Sequence, residues 1–247
     1  MLENRALSKA KISELSKLHQ KKHRQQRQVL VLEGQRLLHQ LADYGVYPLE
    51  LYYTEGSHYP IPPGIPVYQI REAELKKICD SEHPAGVAAL FPIPQERRSD
   101  FHSALYLDGI ADPGNLGTIF RLAAAFGISQ LFLSPQCCDI GNPKLVRASL
   151  GAVYHVAFRT VTHEELLAMK QDMRFLDMDG TQKLGDLPLS TSPCIYVLGS
   201  EAHGVSPNLK GQIGKSISIE MVPGMESLNV AVAAGILCYQ LYLKSRR

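Results

Sequence analysis

At 247 residues, with 45% hydrophobic side chains and a formal net charge of +2, the chain has the make-up of a globular protein with room for one large domain or two smaller ones. No uncharged apolar run reaches the roughly 18 residues that suggest a membrane-spanning helix. "MLENRALSKAKISEL" lacks the apolar stretch of a secretory signal, so a cytoplasmic protein with no membrane partner is expected. Five cysteines (Cys79, Cys137, Cys138, Cys194, Cys238), odd in number and without CxxC spacing, argue against a disulfide framework or structural zinc, and no metal is expected.

The first 36 residues hold nine Lys and Arg against three Glu, so the remainder of the chain is net acidic. The segment "KLHQKKHRQQRQ" offers Lys21, Lys22, Arg24 and Arg27 as a footprint for phosphates, or as one solvated helix face; charge alone does not choose. Strands are predicted at "VLVLEG" (29–34), "LELYYTE" (49–55), "PVYQI" (66–70) and "GVAALF" (86–91), with helices at "GQRLLHQLADYG" and "REAELKKICDS" between them. This small α/β unit ends in "FPIPQERRSDF" (91–101), where prolines and charges break the pattern as a linker would. Domains are therefore expected at 1–97 and 98–247.

The second half alternates strands "ALYLDGI", "QLFLSP", "HVAFRT", "RFLDMD", "CIYVLG" and "SISIEM" with helices near 115–126, 142–151, 162–171 and 227–243. Strands joined by crossover helices imply a mainly parallel sheet covered on both faces, with ligands at the carboxyl ends of its strands.

Three strand-end loops carry polar groups on otherwise apolar elements. In "DPGNLGTIFRLAAAFG" (112–127), Asn115 occupies a plausible N-cap position and Arg121 is the one charge after the opening aspartate. That arginine either faces solvent, joins a structural ion pair, or points at a bound anion. In "YVLGSEAHGVSP", Gly199 and Gly204 permit close backbone approach and Glu201 adds a carboxylate. In "SISIEMVPGMESLNVAVAAGILCYQLYL", Pro223-Gly224 leads to Ser227 as a plausible cap, and Asn229 interrupts a long apolar helix that needs more covering than one sheet face gives. Neither GxGxxG nor a Walker lysine is present, which removes the usual dinucleotide and triphosphate readings.

In residue type, spacing and order, "DPGNLGTIFRLAAAFG", "VLGSEAHGVS" and "IEMVPGMESLNVAVAAG" resemble the three motifs of the SpoU (TrmH-like) branch of the SPOUT RNA methyltransferases. "KHRQQRQVLVLEGQRLL" is similar to the start of the substrate-binding domain, related in fold to ribosomal protein L30e, that precedes the catalytic domain in many members. The resemblance implies an α/β catalytic domain with a mainly parallel sheet and a C-terminal trefoil knot, working as a homodimer, with S-adenosylmethionine as methyl donor. It implies methylation of a ribose 2′-hydroxyl in structured RNA. The N-terminal domain favours ribosomal RNA of the 23S type over transfer RNA, and a non-catalytic RNA-binding dimer of the same fold is the alternative from another class.

By the same resemblance Leu198, Gly199, Ile219, Met221 and Leu228 hold the donor. Arg121 acts at the ribose, and Asn115, Glu201, Ser227 and Asn229 complete the site. Arg147 and Ser149 of "NPKLVRASLGA" lie beside it as RNA contacts, or form a plain helix with an exposed arginine. Ser200 and Ala231 stand where the family frequently has Asn and Ser. Family accounts make the arginine a general base. A guanidinium that stays protonated below a pH of about 12 is better suited to stabilising a developing alkoxide and gripping a neighbouring phosphate, with Glu201 orienting it.

Overall fold

The computed structural model describes residues 5–56, 63–188, 192–222, 224 and 227–246; Pro223, Met225 and Glu226 of the third motif lie outside them. Contacts divide the chain into two units, residues 1–95 with 139–154, and residues 96–138 with 155–247. Residues 139–154, which the strand and helix alternation assigns to the second domain, group with the first unit.

In chain order the first unit has β1 (Arg5–Ala6), α1 (Lys9–Ser16), a 3-10 turn (Lys17–His19), α2 (Lys21–Arg27), β2 (Val29–Glu33) and α3 (Gln35–Asp43), then β3 (Glu50–Tyr53), β4 (Val67–Gln69), α4 (Glu72–Ile78) and β5 (Val87–Pro92). Next come β6 (Ser103–Asp108), α5 (Pro113–Phe126) and β7 (Gln130–Leu133), then α6 (Pro143–Ala148) and α7 (Ala152–His155) in and beside the returning segment. The chain continues through β8 (Ala157–Thr160), α8 (His163–Ala168), β9 (Asp172–Leu176), β10 (Gln182–Lys183), β11 (Cys194–Gly199), α9 (Pro207–Ile213), β12 (Ser216–Ser218) and α10 (Val230–Ser245).

The first unit is a five-stranded sheet in the order β1-β4-β3-β5-β2, mixed because β5 runs antiparallel to both of its neighbours. Leu15 and Leu18 pack with Val31, Tyr52, Leu75 and Leu90 in one core cluster. An arginine is buried in this unit. Arg24 is 5% exposed, donates to the carbonyls of Leu18 (3.0 Å) and His19 (2.8 Å), and pairs with Asp139 at 2.8 Å. Its planar fork serves three acceptors at once, which a lysine would not match.

The second unit is a seven-stranded sheet in the order β10-β12-β9-β11-β6-β7-β8, parallel at every pairing. Its central strands are buried throughout, as continuous apolar runs such as "ALYL" and "IYVL" require when both faces are covered. Tyr106, Phe132, Ile195, Val197 and Leu209 form the core on one face. Helices α5 and α10 pack together elsewhere in the unit, with Phe126 tilted against Tyr239 and Tyr242 at 5.6 and 6.0 Å.

Two helix starts differ from the sequence expectation. The cap of α5 is Asp112, whose Oδ1 accepts from Asn115 N at 2.8 Å; Pro113, with no N–H to satisfy and φ already helical, opens the helix and puts Asn115 inside its first turn. The cap of α10 is Asn229 rather than Ser227, with its Oδ1 accepting from Ala231 N (2.9 Å) and Val232 N (3.3 Å). Replacing Arg24 with Met takes a buried guanidinium away from Asp139 and from the carbonyls of Leu18 and His19. We expect a loss of about 3 kcal/mol, read as a lower urea midpoint, with Arg24→Lys recovering little of it.

Candidate methyl-transfer site

The carboxyl ends of β9 and β11 and the approach to α10 enclose a cavity of about 320 Å³ in the second unit. Leu198, Gly199, Ile219, Met221 and Leu228, the five residues expected to hold the donor, all line it, as do Glu201 and Ser227. Gly199 is required by close approach. A Cβ built there would lie 1.9 Å from the Gly204 carbonyl carbon and 2.0 Å from Val205 N, so the 199–205 loop folds back on itself only with glycine. The return is closed by Gly204 N donating to Ser200 O at 2.8 Å, with Gly204 at φ 64°.

Asn115, Glu201 and Asn229 meet although they come from three loops. Asn229 Nδ2 donates to Asn115 Oδ1 at 3.1 Å, and Asn115 Nδ2 donates to Glu201 Oε1. The packing of α5 on α10 brings their first turns together, and the tight 199–205 loop presents Glu201 to them. Arg121 is not part of this chain. Its residue is exposed on α5 and, among the described residues, makes no hydrogen bond or ion pair, while Glu201 is engaged by Asn115. Its exposure fits both the solvent-facing and the anion-binding possibilities left open by the sequence.

Sequence reasoning missed the acidic side of the cavity, formed by Asp177 and Asp179 after β9 together with Lys210 of α9. Lys210 Nζ lies 2.5 Å from Asp177 Oδ2, and this bond holds the Asp177 carboxyl below its ordinary range. The available signal was the strand end in "RFLDMDG", equivalent in position to the three loops already singled out. Among the described residues no group of three or more His, Cys, Asp or Glu is placed to hold a metal ion.

The expected RNA contacts in the first unit separate into two kinds. Lys21 and Lys22 are exposed at the start of α2. Arg27 pairs with Glu14, Arg24 is buried as described, and Arg147 bridges Glu33 (3.3 Å) and Asp80 (2.7 Å). Ser149 is 1% exposed and its hydroxyl donates to Val146 O at 2.9 Å. Arg24, Arg147 and Ser149 are thus occupied within the protein.

The fold matches a structure assigned to the TrmH family of RNA methyltransferases, from Porphyromonas gingivalis, with TM-score 0.84 and 31% identity over 98% of this chain and 100% of that one. It also matches an AdoMet-bound rRNA methyltransferase from Sinorhizobium meliloti with TM-score 0.81, at 23% identity over 96% and 95% of the two chains. The SpoU rRNA Methylase family model matches residues 102–239, and that of the MRM3-like substrate binding domain matches residues 9–89. The chain belongs to the SpoU rRNA methylase family. Among curated relatives, the 23S rRNA (guanosine(2553)-2′-O)-methyltransferase RlmP of Bacillus subtilis is 28% identical over 94% of this chain and 95% of its own length. The 23S rRNA (adenosine(1067)-2′-O)-methyltransferase of Streptomyces laurentii is 32% identical over 74% and 71%.

Substituting Gly199 with Ala forces the 199–205 loop open by more than an ångström. The expected outcome is a lower thermal midpoint by circular dichroism, together with loss of ligand binding in the cavity by calorimetry.

Proposed function

We propose that this chain is an S-adenosylmethionine-dependent methyltransferase acting on a ribose 2′-hydroxyl of ribosomal RNA, of the 23S type, in the cytoplasm. The observation that carries this is the cavity at the strand ends with the Asn115, Glu201 and Asn229 chain at its rim. Curated relatives along most of the sequence methylate 23S rRNA at 2′-oxygens, which favours rRNA over tRNA. The intact polar set speaks against a non-catalytic binding dimer.

The residues present suit the donor. The Gly199 cradle admits a ligand against bare backbone, Leu198, Ile219 and Leu228 offer an apolar wall for a flat base, and Asp179 and Glu201 offer carboxylates to a cation. When bound, S-adenosylmethionine supplies an electrophilic methyl group on a sulfonium. The bond from methyl carbon to sulfur breaks as the bond to the ribose oxygen forms, and the hydroxyl proton must leave. The chain's task is alignment, worth about 7–11 kcal/mol when complete. Asn115 and Asn229 fix Glu201 at the rim, and Ser227 closes the same edge. Arg121, exposed on α5 and without a partner among the described residues, is offered to an RNA phosphate and to the developing alkoxide; a guanidinium stays protonated, so the proton leaves to other acceptors such as water. In the first unit the exposed Lys21 and Lys22 are the cations offered to RNA backbone, while Arg27 beside them is paired with Glu14.

Two features of the wider fold belong to this proposal. A Cβ on Gly180 would lie 2.3 Å from the Ile217 carbonyl carbon, and β12 sits between β9 and β10, which precede it in sequence. Such close threading of one segment past another fits the trefoil knot implied by the motifs. Val232, Ile236, Tyr239 and Leu243 are exposed along one stripe of α10 at helical spacing, a surface suited to a second copy of this chain.

Calorimetry with S-adenosylmethionine tests the donor; absence of binding by both donor and demethylated product at millimolar concentration refutes the proposal. Arg121→Ala is expected to slow methyl transfer about 100-fold, and Arg121→Lys to restore only part of it. Near-normal turnover of the lysine variant, at unchanged RNA affinity, removes the role given to the planar guanidinium. Ile236→Asp is expected to shift the protein from dimer to monomer by light scattering.

A further inference from the structure

The geometry points to Asp108 and His163 as positioning residues for methyl transfer, an inference that rests on the function proposed above. Asp108 ends β6 and is 7% exposed. Its Oδ1 lies 2.9 Å from His163 Nε2, and its Oδ2 accepts from Ser206 N at 2.9 Å. One carboxylate therefore joins the ends of three connections in the sheet: β6 to α5, β8 to α8, and β11 to α9.

The arrangement is braced from both sides. Two residues before Asp108, the Tyr106 hydroxyl donates to Val161 O at 3.2 Å, which fixes the turn from which His163 opens α8. On the other side Ser206 precedes α9 with no side-chain cap bond, and its buried Oγ has no partner among the described residues. The carboxylate of Asp108 anchors Ser206 through its N–H, while the Ser206 carbonyl accepts from Lys210 N at 3.1 Å.

Function enters through what lies a few residues away in each direction. Past Asp108 the chain passes through Gly109 into the Asp112 cap and Asn115. Back from Ser206 it runs through Val205 and Gly204, which line the cavity, to Glu201. Asp108 thus sets the separation of the two partners in the bond from Asn115 to Glu201. Neither Asp108 nor His163 lines the cavity, so both act through these loops.

The test compares Asp108→Ala, His163→Ala and His163→Gln with the unmodified protein, each first checked for an unchanged thermal midpoint. Single-turnover transfer from S-adenosylmethionine is measured on rRNA isolated from cells lacking the gene, with donor affinity by calorimetry. We expect His163→Ala to lower the transfer rate about tenfold or more by misplacing Glu201, with RNA half-saturation unchanged. Gln keeps an N–H close to the position of Nε2 and is expected to restore most of the rate. Asp108→Ala is expected also to weaken donor binding, because the loop lining the cavity is released. Folded alanine variants with unmodified transfer rates, or a Gln variant no better than Ala, overturn the inference. If the unmodified protein neither binds the donor nor transfers methyl, it is instead the proposed function that fails.

Discussion

The bonds running from Asn229 through Asn115 to Glu201 depend on one constraint, the cap at the start of α10. Asn229 Oδ1 is fixed by the N–H groups of Ala231 and Val232, so its amide nitrogen must face the other way. Asn115 then has to present its oxygen to Asn229, which leaves its own nitrogen for Glu201. A helix terminus thereby orders two side-chain amides in series, and the orientation of each follows from the last. The end of the series requires an acceptor, and a carboxylate supplies one while keeping its remaining lone pairs for a ligand.

Around that series main chain comes very close to main chain. The 199–205 loop turns back so closely that no Cβ fits at position 199, and the cavity it lines mixes apolar residues such as Leu198, Ile219 and Leu228 with Asp177, Glu201 and Lys210. A parallel sheet favours this because all of its strands end on the same edge, so the loops after β6, β9 and β11 share one neighbourhood. The buried runs in β6 and β11 supply rigidity; the loops add the chemistry.

Much of this was legible in the sequence because motif and architecture agree. Continuous apolar runs marked the central strands, and the polar residues at their ends marked loops that meet at the cavity. The helix starts were harder. Asn115 and Ser227 both have capping side chains, but Pro113 fixed the earlier start of α5, and Asn229 took the cap of α10 with an amide that also reaches Asn115. The basic residues were harder still. Arg24 and Arg147 look on the sequence like Lys21 and Lys22, yet their partners Asp139, Glu33 and Asp80 lie far off along the chain. Local pattern carries no information about such pairs. Two-residue strands such as β10 have no periodicity to detect.

That division among the cations bears on how RNA would be gripped. An arginine that is buried must keep its partners, because removing it from water without compensation is costly. Arg24 has done so, and it is unavailable to a phosphate. Arg121 carries no such obligation: it is exposed on α5, and among the described residues it has no internal bond that meeting an anion would break. The Asn115, Glu201 and Asn229 chain already satisfies itself without a guanidinium. Among the described residues Arg121 is therefore spare, which is what the role proposed for it at an RNA phosphate requires.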